Sequence, residues 1–270
     1  MTRHLKKTLL LKYCNIIFPI TKLQLIIVVA TMVTISSCSS NKLNTLQDDF
    51  DSDTLSKIWT ADKFIPGAFE IQSEYVRSGK KAAKLVLKLG DQIEEEIGTN
   101  LERAELREQK KLMSVEHKDY SYSFCIFLPP DFPIVPTRLV IAQWKQNCQA
   151  GNCDPNNPVI ALRYESGEFR VTLQTAPDKI TLYSQKEEIR GRWMDLKFNI
   201  RFSRNKDGCI KASINGKEVI DYKGVTAYGE KYGYPEPGNF YFKIGLYRDT
   251  MIEPMTIYID DYIKKEIKWF

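Results

Sequence analysis

Two closely spaced hairpin signals restrict the fold of this chain more than any other sequence feature. Asp207-Gly208 and Asn215-Gly216 are dipeptides that favour tight β-hairpin turns, and they flank the short alternating run at 210–214. Similar short runs recur along the chain, whereas no long stretch has helical periodicity. The pattern predicts an all-β protein, an antiparallel sandwich or jelly roll.

The predicted strands share apolar or alternating composition and are separated by turn residues. They are residues 84–89, 120–128, 138–144, 159–164, 169–174, 197–202, 210–214, 218–220 and 255–263. No internal repeat or low-complexity segment interrupts residues 48–270, so we expect a single domain there. A body of that length can bury a full hydrophobic core.

The N-terminal segment has the features of an export signal. An apolar run at 25–33 follows basic residues and is shorter than the roughly 20 residues that a membrane span needs. Ile-Ser-Ser-Cys at 35–38 resembles the bacterial lipoprotein box, in which the Cys is lipidated. We therefore expect a signal peptide at 1–37, lipidation of Cys38 and a polar tether over 38–47, with a plain secretory signal as the alternative. The lipid would anchor an exported lipoprotein at the outer membrane, in the periplasm or at the cell surface.

The net positive charge of the chain comes from this leader. Lys and Arg number 39 against 34 Asp and Glu, and five of the basic residues, but no acidic ones, precede Cys38. The remaining body has 34 residues of each sign and is formally neutral. This argues against a nucleic-acid partner bound by a general basic surface.

The cysteines of the body predict one disulfide and no metal site. Cys148 and Cys153 flank a short polar loop, and export permits their oxidation. No His lies near them and no second Cys pair has ligand spacing, so we expect no metal and no cofactor. Cys125 is expected to be a buried thiol, and Cys209 has no evident role.

Three segments carry polar side chains of kinds that a solvent-exposed sheet face does not need. Strand alternation places the polar side chains of each segment on one face. In order along the chain they are Arg103, Glu105 and Arg107; Gln143 and Lys145; and Tyr241, Lys243, Gly245 and Tyr247. Singly, they have a simpler interpretation as surface ion pairs or solvated side chains, which contribute little. Their combination favours a functional site.

Together these segments resemble the jelly-roll polysaccharide lyases of the alginate lyase, heparin lyase I and glucuronan lyase superfamily. Alginate lyases of this type carry Arg-x-Glu-Leu-Arg, Gln-x-His and Tyr-Phe-Lys-x-Gly-x-Tyr motifs in that order. Residues 103–107 and 241–247 match at every fixed position, whereas 143–145 is Gln-Trp-Lys. The resemblance covers about 48–263 and implies a concanavalin-like jelly roll. Trp144 and Lys243 are more similar to the heparin lyase I side.

The departure from the family pattern is Lys145, where these lyases usually have His. The only His after the leader is His117, which we expect at the surface because its neighbours are polar. If His is indispensable for the chemistry, the protein is impaired or works differently.

The resemblance implies β-elimination on a uronate, in which a base removes the C5 proton and an acid protonates the leaving oxygen. Cations and hydrogen bonds on the carboxylate stabilise the enolate-like transition state. The implied catalytic residues are Tyr247 as base and acid, Lys145 as neutraliser or base, and Gln143 and Arg103 as carboxylate ligands. The implied substrate-binding residues are Lys243, Glu105, Arg107 and Tyr241. We also expect Gly245 to leave room beside its strand for a sugar ring to approach Tyr247. We expect a monomer acting on an anionic polysaccharide.

Three alternatives remain open at this level. A non-catalytic carbohydrate-binding lipoprotein of the same fold would explain Lys145, and a purely structural lipoprotein would leave the ordered motifs unexplained. A jelly-roll glycoside hydrolase needs two carboxylates beside the scissile bond. The Glu-x-Asp-x-x-Glu pattern of such enzymes is absent, and the acidic run at 94–96 is interpreted as a solvated loop.

Overall fold

Two antiparallel sheets of eight strands each make up the part of the chain that the computed structural model describes, residues 45–149 and 151–268. The all-β jelly-roll sandwich predicted from the sequence is confirmed. The predicted signal peptide, the lipidation site at Cys38 and all but the last residues of the tether lie outside the described residues.

The strands are numbered in chain order. They are β1 (Thr45–Asp48), β2 (Trp59–Thr60), β3 (Phe69–Gln72), β4 (Ala82–Leu87), β5 (Leu101–Glu108), β6 (Ser114–Val115), β7 (Asp119–Phe127), β8 (Leu139–Gln146), β9 (Ile160–Glu165), β10 (Glu168–Gln174), β11 (Lys179–Gln185), β12 (Trp193–Arg201), β13 (Cys209–Ile214), β14 (Lys217–Lys223), β15 (Asn239–Asp249) and β16 (Met255–Ile267). Short 3-10 helices occupy Glu94–Glu96, Lys110–Leu112 and Glu230–Tyr232. No helix among the described residues has the length and apolar character to cross a membrane.

The two sheets differ in strand order. The first runs β14-β13-β12-β7-β16-β4-β3, with β1 also paired to β16. The second runs β11-β10-β9-β8-β15-β5-β2, with β6 also paired to β15. The second sheet therefore places β5, β15 and β8, which carry the three sequence motifs, side by side.

The core lies between the sheets and has Trp144 near its centre. This side chain is fully buried, and its ring centroid lies 4.8 Å from those of Phe198 in the first sheet and Phe242 in its own. Phe242, Ile244 and Leu246 are all buried, as the alternation of the sequence predicts. Because the odd-numbered neighbours of these residues on β15 cannot also enter the core, most of them point to the opposite face of the sheet.

Gly245 departs from the expected role. It was expected to leave room beside the strand for a sugar. Its φ is +142°, and a Cβ there would lie 2.3 Å from the carbonyl oxygen of Ala104 and 2.9 Å from Leu85. The β15–β8 register also shifts between Ile244 and Tyr247, as in a β-bulge. Glycine is therefore required by the close approach of the backbone of β5 and by the bulge.

The remaining sequence expectations concern cysteines and loops. Cys148 and Cys153 are joined by a disulfide bond, and Cys125 is a buried free thiol. His117 is exposed. The acidic run at 94–96 is a 3-10 helix and not a loop; Glu94 and Glu95 are exposed as expected, whereas Glu96 is only 3% exposed.

Candidate active site

The candidate site lies on the outer face of the second sheet, where the register aligns the three motifs. Tyr247 on β15 is opposite Arg103 on β5, and Lys243 is opposite Gln143 on β8. Lys145 is opposite Tyr241 in the next outward-facing row. Opposite residues of antiparallel strands lie about 5 Å apart, so these side chains share one surface.

Glu105 is the hub beneath this surface. Its carboxylate is fully buried and accepts hydrogen bonds from Arg103 Nη1 at 2.7 Å, Gln143 Nε2 at 2.5 Å and Lys243 Nζ at 3.0 Å. Burial alone would raise the pKa of the Glu105 carboxyl, but the charges of Lys243 and Arg103 outweigh burial and lower the pKa. Glu105 was expected to bind substrate. Its burial makes it a positioning residue that holds three side chains of the motifs.

Arg103 is held by a second carboxylate, that of Glu96. Its Nη2 lies 2.5 Å and its Nε 2.8 Å from Glu96 Oε1. Burial opposes the charge of Arg103, yet Glu105 and Glu96 together raise the pKa of the guanidinium. The positive charge of Arg103 is therefore already shared with two protein carboxylates.

Lys145 is the cation of the motifs that lacks a protein partner. It is half-buried, and it makes no ion pair or hydrogen bond within the described part of the chain. Burial, followed by repulsion from Arg103, lowers the pKa of its amine. A lysine in this state gains from binding an anion, because the anion restores the interactions lost on burial.

Lys243 lies deeper than Lys145 and is 4% exposed. Burial is the main reason that the pKa of its amine falls to about 8, and the nearby charges of Arg103 and Lys145 lower the pKa further against the pull of Glu105. Its amine donates a hydrogen bond to Glu105 and is therefore engaged by a protein carboxylate.

The two tyrosines of the third motif have different surroundings. The Tyr247 ring is partly exposed and lies between two guanidinium groups, 4.0 Å from Arg103 and 4.8 Å from Arg138. Tyr241 lies near the start of β15, and burial raises the pKa of its hydroxyl to about 12. Arg107 pairs with Asp62 at 2.7 Å.

A cavity of about 410 Å³ lies over this surface, and only some of the motif residues line it. Its lining contains Gln143, Tyr247 and six cationic side chains, with no Asp or Glu. The cations are Arg103, Arg138, Lys145, Arg163, Lys179 and Lys243. Tyr241, Arg107 and Glu105 are not part of the lining. The cavity therefore suits an anionic ligand.

Several residues of the site were not found from the sequence. Glu96 reaches Arg103 from the 3-10 helix at Glu94–Glu96. Arg138 enters the cavity from the segment before β8, Arg163 from β9 and Lys179 from the start of β11. Each is a single charged residue without a recognisable motif. A weak signal existed for Arg163, which follows the apolar residues 160–162 in β9.

Comparisons with known proteins identify the family of the chain and its relatives in fold. A family model described as "Polysaccharide lyase" matches residues 50–262. No curated protein matches the sequence.

Several solved structures are similar in fold. The endo-β-1,4-glucuronan lyase of the fungus Trichoderma reesei superposes with a TM-score of 0.62 at 14% identity, covering 83% of this chain and 95% of that one. A mutant of alginate lyase Aly36B in complex with alginate trisaccharide has a TM-score of 0.57 at 11% identity, covering 84% and 99%. The family 7 alginate lyase A1-II′ with bound substrate has a TM-score of 0.52 at 11% identity, covering 76% and 85%. At these identities the similarity concerns the fold.

Proposed function

The chain belongs to the polysaccharide lyase family, and we propose that it cleaves a uronate-containing polysaccharide by β-elimination in the cavity over β5, β15 and β8. The observation that carries the proposal is the lining, which combines six cations with one phenol and no carboxylate. A polyanion suits such a lining. A glycoside hydrolase would require a pair of carboxylates facing the bond that is cleaved.

The first step of the proposed mechanism is neutralisation of the substrate carboxylate. A charged carboxylate makes the neighbouring C5 proton only weakly acidic, so a cation on it stabilises the enolate-like transition state. Lys145 suits this role because its amine is half-buried and unpaired among the described residues. Gln143 supports it through the second hydrogen of its amide, since the first is donated to Glu105.

Tyr247 is the proposed acid and base. As phenolate it takes the C5 proton, the C4–O bond breaks, and a C4–C5 double bond forms. The same hydroxyl then returns the proton to the leaving oxygen. The guanidinium groups of Arg103 and Arg138 contact its ring and hold it in the wall of the cavity. Lys243 is less suited, because its amine is engaged by Glu105.

Export fits this activity. We propose that the chain is an exported lipoprotein attached through Cys38, which would place it where extracellular polysaccharides are found. The disulfide between Cys148 and Cys153 supports export, because such bonds persist in oxidising compartments.

Activity on a substrate panel tests the proposed function. The purified full-length chain is incubated with glucuronan, alginate and a heparin-like chain, and the ultraviolet absorbance of the unsaturated uronate is followed. We expect absorbance to rise with at least one polymer and to stay flat with a neutral glucan of the same linkage. Binding without product on every polymer would instead favour a non-catalytic carbohydrate-binding protein.

A further inference from the structure

The cations of the cavity form two separate groups. Repulsion from Arg103 lowers the pKa of both Lys145 and Lys243, which places these three side chains in one electrostatic neighbourhood. The second group consists of Arg138, Arg163 and Lys179. Burial, and then repulsion from Arg138, lowers the pKa of Arg163, whereas repulsion from Arg163 is the main cause of the lowered pKa of Lys179.

Tyr247 lies between the two groups. Its ring contacts Arg103 of the first group and Arg138 of the second. In the sheet register, Tyr247 on β15 is opposite Val140 on β8, which is opposite Arg163 on β9. Two strand spacings correspond to about 10 Å, so Arg163 lies well to one side of the phenol. An anion at the second group is therefore distinct from the carboxylate that Lys145 would bind.

The second group has positive charge that the protein does not neutralise. Arg138 pairs with Asp249, and Arg170, the neighbour of Arg163 on β10, pairs with Glu165. Arg163 donates from Nε to the neutral Oγ1 of Thr172 at 3.2 Å. Neither Arg163 nor Lys179 forms an ion pair with any carboxylate in residues 45–149 or 151–268.

Arg163 is half-buried and Lys179 is exposed, so water screens part of their repulsion, and an anion bound between them would remove more of it. The guanidinium fork of Arg163 is free at its outer nitrogens, and such a fork matches the two oxygens of a carboxylate. Gln174 has its amide nitrogen tied to the carbonyl of Pro177, which braces the segment leading into Lys179. Arg163 and Lys179 therefore present two cations without carboxylate partners to the same cavity.

We propose that Arg163 and Lys179 bind the carboxylate of a second uronate, borne by a sugar neighbouring the one that reacts at Tyr247. The inference rests on the proposed function and deepens it: the substrate is a chain with uronates on consecutive sugars. A polymer whose uronates are separated by neutral sugars would fill only one of the two cationic groups.

The test compares two double variants that lose the same charge. Arg163→Gln with Lys179→Gln removes the two cations of the second group that have no carboxylate partner, whereas Arg192→Gln with Lys217→Gln removes two exposed cations that line a different cavity. At fixed ionic strength, KM and kcat are measured on glucuronan and on glucuronan whose carboxylates have been partly reduced to neutral alcohols. Charge-assisted hydrogen bonds are strong enough that we expect KM on glucuronan to rise at least about tenfold in the first variant, with kcat retained. The control variant should match the parent.

The reduced polymer supplies the decisive comparison. Both proteins should lose affinity for it, because reduction also removes carboxylates that Lys145 would bind. The parent should lose more than the Arg163/Lys179 variant, because the variant has already lost the second contact. An unchanged KM on glucuronan, an equal loss in the control variant, or a defect seen only on a sulfated heparin-like chain would overturn the proposal. Since Arg163 is half-buried, Lys179→Gln alone is included, and it should give part of the same effect without altering the melting temperature.

Titration calorimetry with glucuronan separates this inference from the proposed function. If the parent forms no unsaturated product but binds glucuronan at least about tenfold more tightly than the Arg163/Lys179 variant, the lyase mechanism fails and the second site stands. Equal binding by both proteins overturns the second site, whatever the activity.

Discussion

Tyr247→Phe tests the proposed acid and base most directly, because it removes one oxygen and keeps the ring. The Tyr247 hydroxyl has no hydrogen-bond partner in the described residues, and the ring contacts with Arg103 and Arg138 do not need it. The free energy of unfolding should therefore change by no more than about 0.5 kcal/mol. Binding of glucuronan should be nearly unchanged.

The effect on turnover should be much larger. General acid–base groups contribute roughly a hundred- to ten-thousand-fold in rate, which corresponds to about 2.7 to 5.4 kcal/mol of activation free energy. We expect kcat for Tyr247→Phe to fall within that range. The assay is the initial rate of ultraviolet absorbance at saturating polymer, with thermal unfolding measured on the same preparation.

Tyr241→Phe is the matched control. Tyr241 lies on the same strand, six residues from Tyr247 and therefore roughly 20 Å along it, and outside the lining of the cavity. Its rate should stay close to the parental one. A Tyr247→Phe variant that cleaves at the parental rate, or an equal collapse in Tyr241→Phe, would refute the assignment and shift proton transfer to Lys145 or Lys243.

The other predictions concern a second site residue, pH and the anchor. Lys145→His should keep measurable lyase activity, whereas Lys145→Ala should lose roughly a hundred- to a thousandfold in kcat; parental activity in Lys145→Ala would remove this residue from the site. Burial lowers the pKa of Lys243 from 10.5 to about 8, so between these values the unfolded chain binds more protons and stability rises with pH. Urea unfolding should show that the free energy of unfolding rises with pH, by on the order of 3 kcal/mol over the full titration of Lys243. The rise should be smaller in Lys243→Met, and an equal dependence on pH in both proteins would contradict the prediction. Cys38→Ala should move the protein from the membrane fraction to the soluble fraction and abolish labelling with a radioactive fatty acid, and retention in the membrane would exclude the lipid anchor.

The sequence predicted the parts of the site that depend on strand alternation. Phe242 and Leu246 face the core while Lys243 and Tyr247 do not, because successive side chains of a strand point to opposite faces. The same reasoning places Gln143 and Lys145 on one face of their strand, and the buried Trp144 between them lies on the other. These features follow from local backbone geometry and from burial.

The parts that the sequence did not reveal depend on register and on loops. Arg163 becomes a neighbour of the site because β9 pairs with β8 at Val140, and no local pattern specifies that pairing. Glu96 contacts Arg103 because the segment before β5 folds back over the strand. Gly245 was expected to face the substrate because strand alternation assumes a regular strand. The register shift next to Gly245 and the close backbone of β5 break that regularity.

The ion-pair and functional-site interpretations of the first motif describe the same structure. Arg103 and Lys243 are paired with the buried carboxylates of Glu96 and Glu105, and these four formal charges cancel. Breaking such a pair leaves an uncompensated buried charge, which typically costs about 3 to 5 kcal/mol, so the pairs hold the strands and side chains in place. Adding Lys145 leaves one excess positive charge, on the side chain that has no partner among the described residues. We infer that one substrate carboxylate would neutralise this cluster of five side chains. Because Glu96 and Glu105 are already paired with Arg103 and Lys243, the charge of Lys145 remains available to bind that carboxylate.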